Sequence, residues 1–285
     1  MRSAFLVRIS PPVAFLAMFF FIPIGVLFAY SFGSSSALGG LSFGTSLDNY
    51  RFIVTDHVVL GTFARTIATG FAVAVLCVAL AMPFAYSISI GPLRRHGDLL
   101  LFLVLCSLFS AYIVRVYAWR ALLGREGVIN GSLNAVGLID APLEFLLYSR
   151  FALILTLVNV LLPFAVLSLY ASFVGVDRQV IEASRSMGAS PVQAFRYVTL
   201  PLVSRGVVAG FTVCFVIACG DYVTPQLVGG PDGVMVGNLI LTRFGITYDW
   251  PMGSALAFTL TAAVALTIAI VSKVLSVLGI RDRPA

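Results

Sequence analysis

Two acidic residues in this 285-residue chain stand beside aromatic rings at the ends of apolar runs: Asp221 with Tyr222, and Asp249 with Trp250. Tyr117 and Trp119 lie in a third such place, between Arg115 and Arg120. Carboxylates and aromatic faces are the groups that receive an organic cation, the ring contact being worth roughly 0.5–2 kcal/mol. The neighbouring arginines argue the other way, or pair with the acids. The same residues also fit anchoring at a bilayer edge, where Trp, Tyr and Arg collect. Charge bordering an apolar span is costly and is expected to face protein or water. Asp221, Tyr222, Trp119, Tyr117, Asp249 and Trp250 are therefore the substrate-path candidates.

Bond-making chemistry has little to work with. The only histidines, His57 and His96, lie at loop ends on opposite sides, and no His-Glu-x-x-His or nucleophile–base pair is present. The single lysine, Lys273, has no glycine-rich loop before it, so no P-loop can hold a nucleotide's phosphates. Cys77, Cys106, Cys214 and Cys219 sit in apolar stretches without Cys-x-x-Cys spacing, which fits packing rather than a disulfide or metal site. No catalytic residue, metal or cofactor is expected. A net charge of +6 could suggest nucleic acid, but no basic run is longer than Arg94-Arg95, so no nucleic-acid partner is expected.

The elements that must position these residues are read from hydropathy. The chain is 60% hydrophobic and 11% charged; soluble domains carry about 25% charge, so the composition is that of a membrane protein. A span needs about 20 apolar residues. Six are expected, at about 12–33, 61–90, 99–120, 150–173, 205–224 and 252–278. The first is read as an uncleaved anchor rather than a signal peptide. Pro23, Pro83 and Pro163 lie inside spans and should kink them. Asn130-Gly131 and Asp140-Ala141-Pro142 signal turns between spans three and four, and "GGPDG" and "YDWP" signal turns between five and six. The whole chain, residues 1–285, reads as one transmembrane domain, all-α and integral to the membrane. Arg2, Arg8, Arg94, Arg95, Arg178, Arg185, Arg196, Arg205, Lys273, Arg281 and Arg283 fall on one side, eleven of the 18 basic residues. The positive-inside rule makes that side, with both termini and residues 174–204, cytoplasmic.

Residues 174–204 are polar amid apolar surroundings. Asp177 can cap a first helix, and Gly188 can end it in the left-handed conformation. Ser190, Pro191 and Gln193 form a capping box with proline in the first turn of a second helix. The apolar face of that helix is Val192, Phe195 and Val198, with Phe195 as an apolar knob, and Leu200-Pro201 stops it. This helix–turn–helix hairpin fits either a loop resting on the membrane surface or an element that docks into a partner's groove.

The stretch "EASRSMGAS" with "VTLPLV" resembles the EAA loop of ABC importer permeases, with Glu182, Ala183, Gly188, Leu200 and Pro201 at motif positions. Ser184 stands where a second alanine is usual. "VRVYAWRALLGREGVIN", "GDYVTPQLVGGP", "VGNLI" and "WPMGSALA" are similar to PotB-type permeases of spermidine/putrescine importers, all after residue 110; residues 1–100 match in hydropathy alone. The resemblance implies a six-span type I importer permease with a cytoplasmic coupling hairpin. Glu182, Ala183, Gly188, Ser190, Phe195, Leu200 and Pro201 would couple it to an ATPase. It implies two copies of a cytosolic ATPase, a second PotC-like permease as heterodimer, a periplasmic binding protein, and the bacterial inner membrane as location. Polyamine fits as cargo, since a flexible multi-cation needs carboxylates and aromatic faces. Permeases for opines, phosphonates, iron or sugars share the EAA loop. An ion-coupled secondary transporter would explain the spans but not the hairpin.

Overall fold

The computed structural model describes residues 2–35, 41–42 and 44–277. Arg281 and Arg283, and the end of the sixth expected span, lie outside the described residues. The order is α1 (Arg2–Tyr30), a two-residue antiparallel pair β1 (Ser34–Ser35) and β2 (Leu41–Ser42), α2 (Asp48–Thr55), α3 (His57–Ser89), α4 (Gly97–Phe109), α5 (Tyr112–Leu123), α6 (Val128–Ala135) and α7 (Arg150–Val174). Then come α8 (Arg178–Ser186), α9 (Pro191–Ala194), a π turn at Phe195–Thr199, α10 (Leu200–Leu202), α11 (Ser204–Gly220), a π turn at Pro225–Gly229, α12 (Val236–Gly245) and α13 (Trp250–Val277). Contacts cluster into two compact units: residues up to Phe63 with Leu239–Ala262, and Ala64–Asn238 with the residues from Ala263 onward.

Helices α3, α7 and α13 are each long and apolar enough to cross a membrane. Two further apolar stretches are bent pairs, and Phe15–Tyr30 is a shorter apolar helix. The third expected span is thus not one rod. It breaks after Ser110, and the helices on either side meet at 91°. The fifth expected span, 205–224, is the single helix α11 as far as Gly220, and a 67° bend lies just before it, where Pro191–Leu202 meets Ser204–Gly220. Neither break falls on a proline inside a span. Helix α3 runs through Pro83 and α7 through Pro163 as single elements, because a bundle can accommodate the one donor a proline removes. The Asn130-Gly131 turn is also not found. Both residues lie inside α6, where Asn130 is buried; its Nδ2 donates to the Gly124 carbonyl (3.0 Å) and its Oδ1 accepts from Leu143 N (2.8 Å).

In the larger unit, α7 is the most enclosed of the long spans, and α11 lies along it. Gly206 and Gly210 make this possible. A Cβ at Gly206 would fall 2.2 Å from Ser172 Oγ, and one at Gly210 would fall 3.5 Å from the Ala165 Cα. Small residues four apart let two backbones approach closely in an apolar medium. Buried cysteines face α7 from both neighbours: Cys214 Sγ on α11 reaches the Leu161 carbonyl (3.6 Å), and Cys77 Sγ on α3 reaches that of Val158 (3.7 Å). In the smaller unit, Phe28 of α1 meets Phe258 of α13 edge to face at 5.1 Å. Asn49 Nδ2 ties α2 to the carbonyls of Ser31 and Gly33. Phe15, Phe19, Phe20 and Phe21 of α1 are each at least 60% exposed, a surface suited to lipid tails.

Candidate functional site

The polar hairpin folds as its local sequence dictates. Asp177 accepts from Gln179 N (2.9 Å) and starts α8. Gly188, at φ +91°, ends it with a Schellman pair: Gly188 N donates to the Arg185 carbonyl and Ala189 N to that of Ser184. Ser190 Oγ accepts from Gln193 N (3.3 Å) and Gln193 Oε1 accepts from Ser190 N (2.8 Å), a closed capping box with Pro191 in the first turn. Glu182 and Ala183 are exposed, and Ser184 is buried with its hydroxyl on the Ile181 carbonyl. Leu200 and Pro201 form the short α10 before the bend into α11.

Phe195 is not the exposed knob expected from the pattern. It is half-buried, its ring edge to face with Tyr86 of α3 at 5.9 Å. The π turn that begins at Phe195 adds a residue to the helical turn, which shifts the facing of the residues after it, Val198 among them, relative to Val192 and Phe195. Met187, Val192 and Tyr197 are the most exposed apolar side chains of the hairpin instead, at 83%, 74% and 71%.

Asp221 caps the end of α11 and is buried. A carboxylate there needs donors, and three supply it. The Tyr112 hydroxyl donates to Oδ2, Val223 N to Oδ1 (2.9 Å) and Thr224 N to Oδ1 (3.4 Å). Tyr112 also bonds Thr224 Oγ1 at 2.6 Å. Tyr112 is the first residue of α5, immediately past the break in the third span. Asp221 therefore fastens α5 to the end of α11. Tyr112 and Thr224 carry no local signal in the sequence; Tyr112 is 109 residues from its partner. Beside them lies a cavity of about 290 Å³, walled by Ser110, Tyr112, Arg115, Val160, Phe164 and Ile217. Arg115 Nη1 donates to the Val160 carbonyl (3.3 Å), and its Nε is buried without a partner.

The remaining path candidates are spread. Tyr222 is partly exposed, with Asn238 Nδ2 on its carbonyl (2.9 Å). Tyr117 is half-exposed and Trp119 less so. Arg120 Nη2 donates to Tyr148 Oη (3.3 Å). In the smaller unit, Asp249 caps α13 through Met252 N, accepts from Ser35 Oγ (3.0 Å) and pairs with Arg243 (3.4 Å). This is the acid–arginine pairing the sequence allows for. Trp250 stacks edge-on against Phe244 at 5.6 Å. The structure joins Tyr112, Asp221 and Thr224 into one group, and Ser35, Arg243 and Asp249 into another.

Apolar helices, broken spans and a capped polar hairpin define a multi-pass membrane permease. The chain belongs to the family described as binding-protein-dependent transport system inner membrane component, whose model matches residues 2–281. It is 32% identical over 256 residues to the spermidine/putrescine transport system permease protein PotB of Haemophilus influenzae, covering 90% of this chain and 88% of that one. It is 30% identical over 254 residues to PotB of Escherichia coli, covering 89% and 91%. In structure it is similar to a chain of a bacterial alginate ABC transporter, crystallised in complex with an alginate pentasaccharide-bound periplasmic protein. The TM-score is 0.73 at 15% identity, over 96% of this chain and 93% of that one. The fold is that of the type I ABC importer permeases, and the chain is an inner-membrane transport subunit rather than an enzyme.

Proposed function

We propose that this chain forms half of the translocation path of an ATP-driven importer for polyamines of the spermidine and putrescine class. The observation that carries the cargo assignment is the similarity to PotB permeases over about nine-tenths of both chains. ATP is hydrolysed on two copies of a cytosolic ATPase, and a second, related permease completes the path. A periplasmic protein delivers the substrate, which fits the binding-protein dependence of the family. Both termini and residues 174–204 face the cytoplasm, as the basic residues argue. Exposed Tyr222, Tyr117 and Trp250 offer aromatic faces to a passing ammonium group. Asp221, already holding three donors, acts on the path by keeping α5 in place.

The hairpin docks on the ATPase. Its exposed Met187, Val192 and Tyr197 supply the apolar contact, worth roughly 1.5–3 kcal/mol per fully buried side chain. Glu182 supplies an exposed acid for an arginine of the ATPase, at ~1 kcal/mol or less. Two measurements test this. Cells lacking the chain should lose uptake of labelled spermidine or putrescine and regain it when the gene is restored; unchanged uptake overturns the cargo assignment. Val192→Asp with Met187→Asp should release the ATPase in a detergent pull-down, and full retention overturns the docking surface.

A further inference from the structure

We infer that Tyr86 is a positioning residue for energy coupling: the ring contacts Phe195–Tyr86–Phe173 carry the hairpin's movement to α3 and α7. The inference rests on the docking role proposed above for the hairpin. Phe195 sits edge to face on Tyr86 at 5.9 Å and 85°, and Tyr86 sits edge to face on Phe173 at 5.9 Å and 76°. One end of this row is fixed, because Phe173 is fully buried near the C-terminal end of α7. The other end has room. Phe195 and Tyr86 border an apolar cavity of about 420 Å³ whose remaining walls, Val78, Ala79, Met82 and Pro83, all belong to α3.

Two features give the contact a mechanical character. The π turn places its extra residue at Phe195–Thr199, where the Leu200 N–H reaches back to the Phe195 carbonyl, and α8 packs on this turn. A push on the exposed face of the hairpin therefore arrives at Phe195. The ring can then slide along the apolar wall of α3 without being exposed to water, while edge-on contact with Tyr86 pulls α3 along. The covalent routes from the hairpin lead into α7, through residues 175–177, and into α11, through the 67° bend. The aromatic row is a further route, and it reaches α3, the long span to which the hairpin has no direct covalent link.

The test uses the whole transporter, reconstituted in nanodiscs with its ATPase and its binding protein. In Tyr86→Ala the ATPase should stay bound, while binding-protein-stimulated hydrolysis falls about three- to tenfold, the factor that corresponds to losing an edge-to-face ring pair. Tyr86→Phe should behave as the unmodified protein, since the ring makes the contact. Tyr86→Ala combined with Phe195→Ala should be no worse than the weaker single variant. Stimulated hydrolysis within twofold of normal in Tyr86→Ala would overturn the inference. So would loss of ATPase retention in both Tyr86→Ala and the bulk-preserving Phe195→Leu, which would reduce the row to a prop for the hairpin fold. Failure of the docking role shows elsewhere, as full ATPase retention in the charged Met187 and Val192 variants.

Discussion

Asp221 shows what one residue's sequence position can and cannot convey. Its charge at the end of an apolar helix marks it as a residue that must find partners, and that much is legible. The partners are not. Tyr112 comes from a different helix, and its approach depends on a break at Ser110 that no glycine or proline announces. The prediction at this scale follows from what the carboxylate holds. Asp221→Ala strands the Tyr112 hydroxyl with Thr224 alone and frees two backbone donors, so stability in detergent should fall by about 1–3 kcal/mol. Asp221→Asn keeps an acceptor for the two N–H groups and should lose less. Thermal unfolding of both variants checks this, and equal melting temperatures for Asp221→Ala and the unmodified chain would mean that α5 is held by other contacts. The Arg243–Asp249 pair differs. It is partly solvent-exposed at its closest approach of 3.4 Å, and such a pair is worth ~1 kcal/mol or less.

Among the elements, the hairpin was legible in the sequence and the spans only partly so. Caps act within four residues, so Asp177, Gly188, Ser190 and Gln193 announce helix ends directly. Facing is harder to read, because Phe195 is half-buried against Tyr86 of α3, a contact that leaves no mark on hydrophobic spacing. Hydropathy sums likewise register a stretch of apolar residues but not the 91° bend inside one. The Gly206–Gly210 spacing was a readable signal for the α7–α11 contact, being two small residues four apart in an apolar run. Gly188 supports the prediction at this scale. Nothing lies within 4 Å of a Cβ built there, so a side chain would meet no neighbour, yet its φ of +91° is a conformation that other residues rarely adopt. Gly188→Val should therefore cost about 1–2 kcal/mol through the backbone alone. Gly188→Asn should cost less, because asparagine tolerates left-handed turns. Pull-down of the ATPase should rank the variants in that order, and equal retention by both would show that docking does not depend on the angle between the two hairpin helices.

For the molecule as a whole, the open question is which way the spans run. Basic residues decide it. In the proposed topology eleven of 18 lie on the side that includes the hairpin, and translocation of Lys and Arg is disfavoured, which is the argument for placing that side in the cytoplasm. Ser35 follows the first span and is exposed; Ser190 caps the second hairpin helix and is exposed. The two positions are predicted to lie on opposite faces of the membrane, which makes them a matched pair of reporters. Of the native thiols, Cys77, Cys214 and Cys219 are buried and Cys106 is exposed, so Cys106→Ser removes the accessible background. In that background Ser35→Cys should react with a membrane-impermeant maleimide added to intact spheroplasts. Ser190→Cys should react only after the membrane is opened. The Ser35 hydroxyl donates to Asp249, and a thiol there loses only an exposed hydrogen bond, so folding should be preserved. Labelling of Ser190→Cys from outside, with protection of Ser35→Cys, would invert the protein and put the hairpin on the wrong side for any cytosolic ATPase. Labelling of both from outside would mean that an even number of the apolar stretches between them crosses the bilayer, and the broken third stretch would then be the one to re-examine as a re-entrant loop.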